Sequence, residues 1–442
     1  MKKFTFILTI LIALTINANA QSGWNLQTNP LGSGDTAMLG KIQFASPLEG
    51  WISGGRGDLL HTTDAGANWT AVTPFPNDTV MSMSDPSVSM WWVNQTHGWK
   101  INAMGDSLEN AHGAVIHKTS DGGITWEKNV ISTDFGDFGL QVQFVDENNG
   151  WATVFNFQTG VFNTYSSSDG GNNWNLIPAT AGGFFYFVDV NNGWLISAGP
   201  DMAPPYEIMK TTDGGVNWSV QYSDDTEGSF EEIQFTDLNN GWVVGRKGKI
   251  LKTSDGGTNW TSLTNTGIAN FDTYHSKCVF FIDATNGWIG SDVDEVDPIV
   301  LHTTDGGNSW IIQTTPINGT LSGGDDIFSI FFWDVNNGWF TGDNGIISHT
   351  TNGGMRIADN IISNSINFSP NPASDIVTIN INRNNNADLT LNIYNIMGSL
   401  VKTEMLKQNQ QQINVGDLSN GIYMIEIKSK GLTERQKLII QR

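Results

Sequence analysis

The sequence contains very little cysteine and few basic residues. Cys278 is the only cysteine among 442 residues, so no disulfide can form within the chain and an apolar core must stabilise the fold. Cys278 lies in the apolar run KCVFFI, which predicts a buried residue rather than a nucleophile. Lys and Arg number 22 against 44 Asp and Glu. So acidic a chain repels phosphates and anionic membranes, and no nucleic-acid partner is predicted.

The negative charge is unevenly distributed along the chain. Residues 21–362 contain 12 Lys and Arg against 38 Asp and Glu, a net charge of −26. Residues 363–442 contain 8 against 6, a net charge of +2. This change of sign predicts two domains, 21–362 and 363–442. The acidic surface of the first suits solubility, cation binding or a basic partner.

Long apolar runs are absent except at the N-terminus. Lys2 and Lys3 precede FILTILIAL, and the segment ends with Ala18-Asn19-Ala20. This pattern predicts a secretory signal peptide at residues 1–20, with an exported mature chain that begins at Gln21. The run is short for a bilayer and no other segment is long enough, so no membrane span is predicted in the mature chain. A transmembrane anchor is the alternative.

A two-part repeat dominates residues 50–357. A Gly-Trp pair occurs seven times, with its tryptophans 43 to 52 residues apart, and a turn of the form Ser/Thr-x-Asp-x-Gly-x-x-Trp follows six of the pairs. The tryptophans of the pairs are Trp51, Trp99, Trp151, Trp194, Trp242, Trp288 and Trp339. This period is typical of one four-stranded propeller blade, so the sequence predicts an all-β fold with a seven-bladed β-propeller.

Each repeat also indicates its inner strand. An apolar residue lies nine positions before each Gly-Trp tryptophan and an aromatic residue lies seven before it, so both side chains share one face of a strand. His61, His302 and His349 precede three of the turns where other blades have Lys, which predicts an exposed position and no zinc site.

The aspartates of the repeated turn are predicted to be structural. A carboxylate there can accept hydrogen bonds from backbone N–H groups two or three residues later, which leaves it no catalytic or metal-binding role. These residues are Asp64, Asp121, Asp169, Asp213, Asp255 and Asp305.

The seventh turn predicts how the ring closes. TTNGGMRI at 350–357 has neither the Asp nor the Trp, whereas SGWNLQT near the mature N-terminus contains Trp24. Residues 22–28 are therefore predicted to form the outer strand of the last blade, which removes a free sheet edge. The alternative is that MRIADNII supplies this strand.

The repeated turn is the Asp-box, or BNR, motif. Together with F-x-D-x-x-x-GW it resembles the repeats of photosystem II assembly factor YCF48-like and sortilin-like propellers over residues 22 to about 357. The resemblance implies the fold alone, because these boxes occur in sialidases, xyloglucanases, sortilins and assembly factors alike.

The pattern changes from residue 363 onwards. Alternating apolar and polar residues separated by Asn- and Gly-rich turns predict a small antiparallel β-sandwich. The segment resembles the type A C-terminal sorting domain of the Bacteroidetes type IX secretion system. That likeness implies handling by the secretion machinery, then removal of residues 363–442 and either release or attachment at the cell surface; an accessory sandwich is the alternative. The matching residues are Pro370, Asn371, Pro372, Gly398, Gly421, Tyr423 and Lys437.

Function is expected on the irregular loops at one face of the propeller. The first hypothesis is a binding module for a protein or a glycan; the second is a glycoside hydrolase, which needs two carboxylates about 5–10 Å apart. Sialidase chemistry is disfavoured because the propeller has three arginines and no Arg-Ile-Pro signature. The candidate ligand-face residues are Arg56, Arg246, Asp292, Asp294, Glu295, Asp297, Asp325 and Asp326.

Two of these candidates have other interpretations. Arg56 and Arg246 occupy equivalent loop positions in blades 1 and 5, so they are as compatible with turn formation as with a site. The spacing of acidic residues at 292–297 is not that of an EF-hand, although calcium binding by this acidic rim stays open. No cofactor is otherwise predicted.

Overall fold

The structure is a computed structural model that describes residues 23–31, 38–54, 59–72, 89–104, 113–177, 182–197, 203–263, 268, 270–293, 296–317, 326–355, 366–381, 389–395, 399–406, 410–429 and 432–442. The predicted signal peptide and the predicted boundary near residue 362 lie outside these residues. The chain divides into two compact units, one formed by residues 21–356 and the other containing residues 357–442.

The first unit consists of seven four-stranded antiparallel sheets, so the predicted all-β, seven-bladed propeller is confirmed. The innermost strands, which contact one another from sheet to sheet, are β2 (Leu39–Phe44), β6 (Met90–Trp92), β10 (Asp137–Phe144), β14 (Phe184–Phe187), β18 (Phe230–Phe235), β22 (Tyr274–Phe281) and β26 (Ile327–Phe332). The second strands are β3 (Gly50–Gly54), β7 (Gly98–Ala103), β11 (Gly150–Asn156), β15 (Gly193–Ser197), β19 (Gly241–Gly245), β23 (Gly287–Val293) and β27 (Gly338–Gly342).

The outer half of each blade is formed by a third and a fourth strand. The third strands are β4 (Leu59–Thr62), β8 (Ala114–Thr119), β12 (Val161–Ser167), β16 (Tyr206–Thr211), β20 (Ile250–Thr253), β24 (Val296–Thr303) and β28 (Ile347–Gly354). The fourth strands are β5 (Thr70–Val72), β9 (Glu127–Ser132), β13 (Asn175–Ile177), β17 (Ser219–Asp224), β21 (Thr261–Ser262), β25 (Ile311–Gln313) and β1 (Gly23–Leu26). Within the described residues, short 3-10 helices lie at Phe271–Thr273 and Asp343–Gly345.

The last blade takes its outer strand from the N-terminal end of the propeller. β1 pairs antiparallel with β28, and Trp24 in β1 is buried. Its indole Nε1 donates a hydrogen bond of 3.0 Å to Gln313 in the preceding blade. Its ring packs on Phe340 at a centroid distance of 4.9 Å. The two ends of the propeller chain therefore meet in one sheet.

Aromatic pairs join each blade to the next. The tryptophan of every Gly-Trp pair stacks on the aromatic residue seven positions before the next blade's tryptophan, with ring centroids 3.5–4.7 Å apart, and Trp339 closes the ring on Phe44. The same aromatic ring covers the glycine of its own pair. A Cβ atom on Gly50 would lie 2.6 Å from the Phe44 ring, so only glycine fits there.

The Asp-box turns form the same hydrogen bonds in all six intact copies. In the second copy, Thr119 Oγ1 donates to Asp121 Oδ1 at 2.8 Å and accepts from the Gly123 N–H at 2.9 Å. The carboxylate also accepts from the Thr125 N–H, which is four residues later rather than the predicted two or three. The side-chain hydrogen bond from Thr125 is the largest of the effects that lower the pKa of Asp121 to about 2.

The residue before each box is not the exposed position that the sequence predicts. It lies directly opposite the Gly-Trp tryptophan on the adjacent strand, as His302 does opposite Trp288. His302 is 5% exposed and stacks on Trp288 at 4.7 Å, while Lys210 lies 5.0 Å from the centroid of the Trp194 ring. Burial lowers the pKa of His302 to about 4. The cross-strand tryptophan is the reason that this position is covered.

The C-terminal unit is a sandwich of two antiparallel sheets, as predicted. Val377, Leu391 and Ile425 belong to the single apolar core between the sheets. One sheet has the order β29-β30-β33 and the other β32-β31-β34-β35. The strands are β29 (Ile366–Ser369), β30 (Ile376–Ile381), β31 (Leu389–Asn395), β32 (Leu400–Leu406), β33 (Gln410–Asn414), β34 (Gly421–Ser429) and β35 (Leu432–Ile440).

Candidate functional site

The seven inner strands surround a channel of about 870 Å³. The residues nine and seven positions before each Gly-Trp tryptophan pack between blades, and most of the residues ten and eight positions before it line the channel. Gln143, Cys278 and Ser329 are the exceptions and are buried. Inner strands begin at the end of the propeller that carries the loops and finish beside the Asp-boxes, because Phe44 pairs with Gly50 and Gly50 pairs with Thr62. We call the end at which the inner strands begin the loop end.

Glutamines of the inner strands are engaged with the backbone, and three of them, Gln43, Gln141 and Gln234, line the channel. Gln43, Gln141, Gln143 and Gln234 each bridge to the backbone N–H and C=O of a residue in the next blade, with distances of 2.6–3.2 Å. Their amide groups thereby tie neighbouring inner strands together across the gap between sheets. Each of these side chains thereby uses one of its two N–H donors and one of its two acceptor sites for the fold.

Aromatic side chains form much of the remaining channel wall. Trp91 and Tyr186 approach edge to face at 6.3 Å, and Phe280 and Phe331 lie 5.0 Å apart. Phe184 also lines the channel, two residues before Tyr186 in β14. Tyr186 keeps part of its surface open to the channel but is surrounded by protein, and this desolvation raises its pKa to about 12. We call these five residues the aromatic section.

Three ion pairs lie at the loop end of the channel. Lys41 Nζ of β2 is 3.0 Å from Glu232 Oε1 of β18, although these strands belong to blades 1 and 5, which are not neighbours. Arg246 Nε is 2.9 Å from Glu231 Oε1. The third pair joins Lys277 to Asp326 between blades 6 and 7. We call these six charged residues the channel mouth.

The structure brings two of the predicted ligand-face residues to the mouth. Arg246 and Asp326 are there, each paired as described. Asp292 does not lie on an exposed rim: its buried side chain is in β23, with Oδ1 3.7 Å from His275 Nδ1 of the adjacent strand. Most of the segment 290–300, which was predicted to be a loop, is instead the hairpin formed by β23 and β24. These two strands pair antiparallel with each other up to Val293 and Val296. Arg56, Asp294, Glu295, Asp325 and the side chain of Asp297 lie outside the described residues.

Sequence reasoning missed most of the channel. Lys41 and Glu232 are both ten positions before a Gly-Trp tryptophan, where the other blades have Ser89, Gln141, Phe184, Cys278 and Ser329. In contrast, every blade has an apolar residue nine positions and an aromatic residue seven positions before the tryptophan. The variation at the tenth position could therefore have indicated a functional surface. Within the described ranges no group of three or more His, Cys, Asp or Glu is placed to hold a metal ion.

The motif of the C-terminal sandwich contributes mainly to its structure. Asn371 Nδ2 donates to the backbone carbonyl of Lys437 at 2.8 Å, and Asn371 Oδ1 accepts from the Ile439 N–H at 2.9 Å. Pro370 and Pro372 flank this asparagine, which therefore fastens the first loop to β35. Tyr423 donates to the Ser419 carbonyl at 2.9 Å and follows Gly421 at the start of β34. Gly398 lies outside the described residues.

Two family models match parts of the chain. Residues 367–441 match the secretion system C-terminal sorting domain, and this domain marks proteins that are exported to the cell surface or secreted. Residues 184–266 and 221–327 match the photosynthesis system II assembly factor YCF48 family. The predicted resemblances to these two families are thereby confirmed.

Individual relatives align with smaller parts of the chain. The photosystem II assembly lipoprotein Ycf48 of Synechococcus sp. is 34% identical over 113 residues, which are 24% of this chain and 28% of that protein. An endo-acting ulvan lyase of Formosa agariphila is 24% identical over 161 residues, which are 30% of this chain and 31% of that protein. The chain thus spans less than a third of the length of each of these curated relatives.

A solved structure described as YCF48 bound to D1 peptide has the same fold as the propeller. Its TM-score is 0.55 at 18% identity, and the alignment covers 76% of this chain and 96% of that one. No helix in the described part of the chain has the length and apolar character needed to cross a membrane. The chain is thus an exported protein with a seven-bladed β-propeller whose repeats resemble those of the YCF48 family, and its residues 367–441 match the secretion system C-terminal sorting domain.

Proposed function

We propose that the propeller is a binding module, delivered outside the cell by its sorting domain, that holds a protein or glycan ligand at the channel mouth without chemically changing it. The observation that carries this proposal is the channel itself. It is concave, about 870 Å³ in volume and lined by aromatic side chains below a charged mouth. Ligand sites in proteins are typically concave and mostly apolar with a few polar groups that fix orientation.

The arrangement of acidic groups favours binding over hydrolysis. A glycosidase needs one carboxyl group to donate a proton and a second, free carboxylate to attack or to activate water. Of the described carboxylates at the mouth, Glu231, Glu232 and Asp326 each contact a basic side chain, and Glu232 also accepts a backbone hydrogen bond from Val279. The described part of the mouth therefore offers no carboxylate without a basic partner for the attacking or water-activating role.

The fold is compatible with a polypeptide ligand. The solved structure with the same fold is described as bound to D1 peptide. Because the sequence identity is 18%, this likeness supports the scaffold and not a shared ligand.

A parallel screen of the full chain tests the proposal. The protein is applied to a peptide library and a glycan array, and it is incubated in parallel with a panel of polysaccharides that includes ulvan. We expect binding in one of the first two assays, weakened by Trp91→Ala, and no release of oligosaccharides in the third.

A glycoside-cleaving activity is the second candidate, and the partial alignment with an ulvan lyase is the observation that favours testing it. Release of new reducing or unsaturated ends from any polysaccharide would overturn the binding proposal in favour of an enzyme. The variants Glu231→Gln and Glu232→Gln would then show whether the mouth carboxylates carry the reaction.

A further inference from the structure

Glu232 occupies a wall position that a glutamine fills in blade 3. Gln141, the equivalent residue, accepts from the Phe185 N–H and donates to the Phe185 carbonyl. Glu232 Oε2 likewise accepts from the Val279 N–H, at 2.7 Å, but a carboxylate cannot donate. Its second oxygen is directed instead to Lys41, on the opposite side of the channel. The negative charge at residue 232 therefore serves the channel and is not needed to join the blades.

The Lys41–Glu232 pair bars the channel near the loop end. The two residues lie in blades that are separated by two others, so an ion pair of 3.0 Å must span the opening rather than follow its wall. Trp91 and Tyr186 are each two strand positions further in than the level of this pair, about 7 Å deeper along their strands. A ligand that enters from the loop end reaches Trp91 and Tyr186 only by passing or replacing this ion pair.

The charge of the surroundings favours a cationic ligand. Residues 21–362 contain 12 basic and 38 acidic residues, and three of those basic residues, Lys41, Arg246 and Lys277, are at the mouth. A field this negative draws cations towards the opening and repels polyanions. The mouth already holds one ammonium group against a ring, since Lys277 Nζ is 5.7 Å from the Phe328 centroid.

The wall favours apolar side chains over sugar hydroxyls. The three wall glutamines, Gln43, Gln141 and Gln234, are each bonded to the backbone through both their oxygen and their nitrogen atoms. A glycan would leave many of its hydroxyl groups without partners beside the aromatic section. An aromatic or aliphatic side chain loses little hydration there and contacts flat ring faces.

We propose, on the basis of the binding function above, that the channel takes a polypeptide segment in which a Lys or Arg lies next to aromatic or large aliphatic residues. The ligand's cation replaces Lys41 on Glu232, and the neighbouring apolar side chain enters the aromatic section. Glu232 exchanges one cationic partner for another, so its charge stays compensated throughout. Lys41 then acts as a built-in competitor that excludes segments without a basic residue.

The test uses the full chain and two labelled peptides, acetyl-Gly-Phe-Lys-Phe-Gly-amide and the same peptide with Glu in place of Lys, in fluorescence anisotropy titrations. We expect the Lys peptide to bind at least ten-fold more tightly than the Glu peptide, with an affinity that falls as salt rises. Glu232→Gln should weaken the Lys peptide at least ten-fold while preserving the fold, as Gln141 shows that glutamine fits this position. Lys41→Met should tighten it three-fold or more.

Two control variants make the same charge changes away from the channel. Lys252→Met removes a lysine that lies over Trp242 on a third strand, and Glu127→Gln neutralises a glutamate on an outer strand. Both should leave the affinity unchanged. The proposed replacement of Lys41 by the ligand's cation would be overturned if wild type and Glu232→Gln bound the Lys peptide equally well. It would also be overturned if Lys41→Met bound that peptide more weakly than wild type.

The outcomes separate this inference from the function on which it rests. If neither peptide binds but a glycan does, and Trp91→Ala abolishes that binding, the binding function stands and the polypeptide inference fails. If no peptide or glycan binds at all, both fail.

Discussion

The two ends of the propeller use the same seven strands in different ways. Beside the Asp-boxes, each blade repeats one set of hydrogen bonds, such as those of Thr119 and Asp121. At the loop end the corresponding inner-strand residues differ in chemistry from blade to blade, as Lys41, Phe184 and Glu232 illustrate. Repeated residues satisfy groups that every blade must satisfy, whereas a varied residue such as Glu232 combines a backbone bond to the next blade with a contact that other blades lack. This variation is the reason that the proposed ligand site is placed at the loop end.

The largest loss of unfolding free energy is expected from a substitution among the structural residues that close the blades. Trp24→Ala should lower the free energy of unfolding by about 4 kcal/mol, since it removes a buried indole that closes the last blade. Denaturant unfolding measures this effect. Trp333→Ala, at a residue that is 41% exposed, is the control and should change stability far less. Similar losses for both variants would remove the special role of the N-terminal strand.

A second effect concerns the tryptophan stacks beside the boxes. The folded state keeps His302 neutral down to a pKa of about 4, whereas the unfolded chain binds the proton near pH 6.5. Stability should therefore fall as the pH is lowered from 6.5 to 4, by up to about 3 kcal/mol for this residue. His302→Phe should remove that part of the pH dependence, and His97→Phe, on a turn, should not. Identical pH profiles for wild type and His302→Phe would refute this account.

A smaller loss is expected from a single Asp-box. Thr119→Val keeps the shape of the side chain but removes the hydroxyl that joins Asp121 to the Gly123 N–H. We expect a loss of about 1–2 kcal/mol in unfolding free energy, because the buried N–H is left without its partner. Ligand affinity should not change. A change in affinity without a change in stability would contradict the separation of the two ends.

The smallest effect on stability is expected at the channel mouth. Arg246→Ala breaks an ion pair in which the arginine side chain is 55% exposed, so the unfolding free energy should change by less than about 0.5 kcal/mol. Calorimetry measures this, and the binding assays above should show tighter binding of the Lys peptide by the same variant, because Glu231 is then an uncompensated negative charge at the mouth. A large loss of stability would mean that the mouth is a structural feature like the boxes.

The fold was more predictable from the sequence than the site. Seven Gly-Trp pairs and six intact boxes specify local geometry that the residues themselves enforce, such as the glycine under Phe44. The histidines and lysines before the boxes were wrongly expected to be exposed, because their cover comes from a tryptophan on the neighbouring strand. The candidate acidic residues were chosen by loop position, and Asp292 proved to be buried within a strand.

The sequence by itself determined the architecture, the acidity of the propeller and the resemblance of residues 367–441 to a sorting domain. These properties could be read from the sequence because repeats, composition and short motifs are local properties of the chain. Only the tertiary structure decided that Lys41 and Glu232, 191 positions apart, meet across one channel. That contact depends on the closure of seven sheets into a ring, and no local pattern encodes which side chains then face each other. The physical reason is that a channel is a property of the whole ring and not of any one blade.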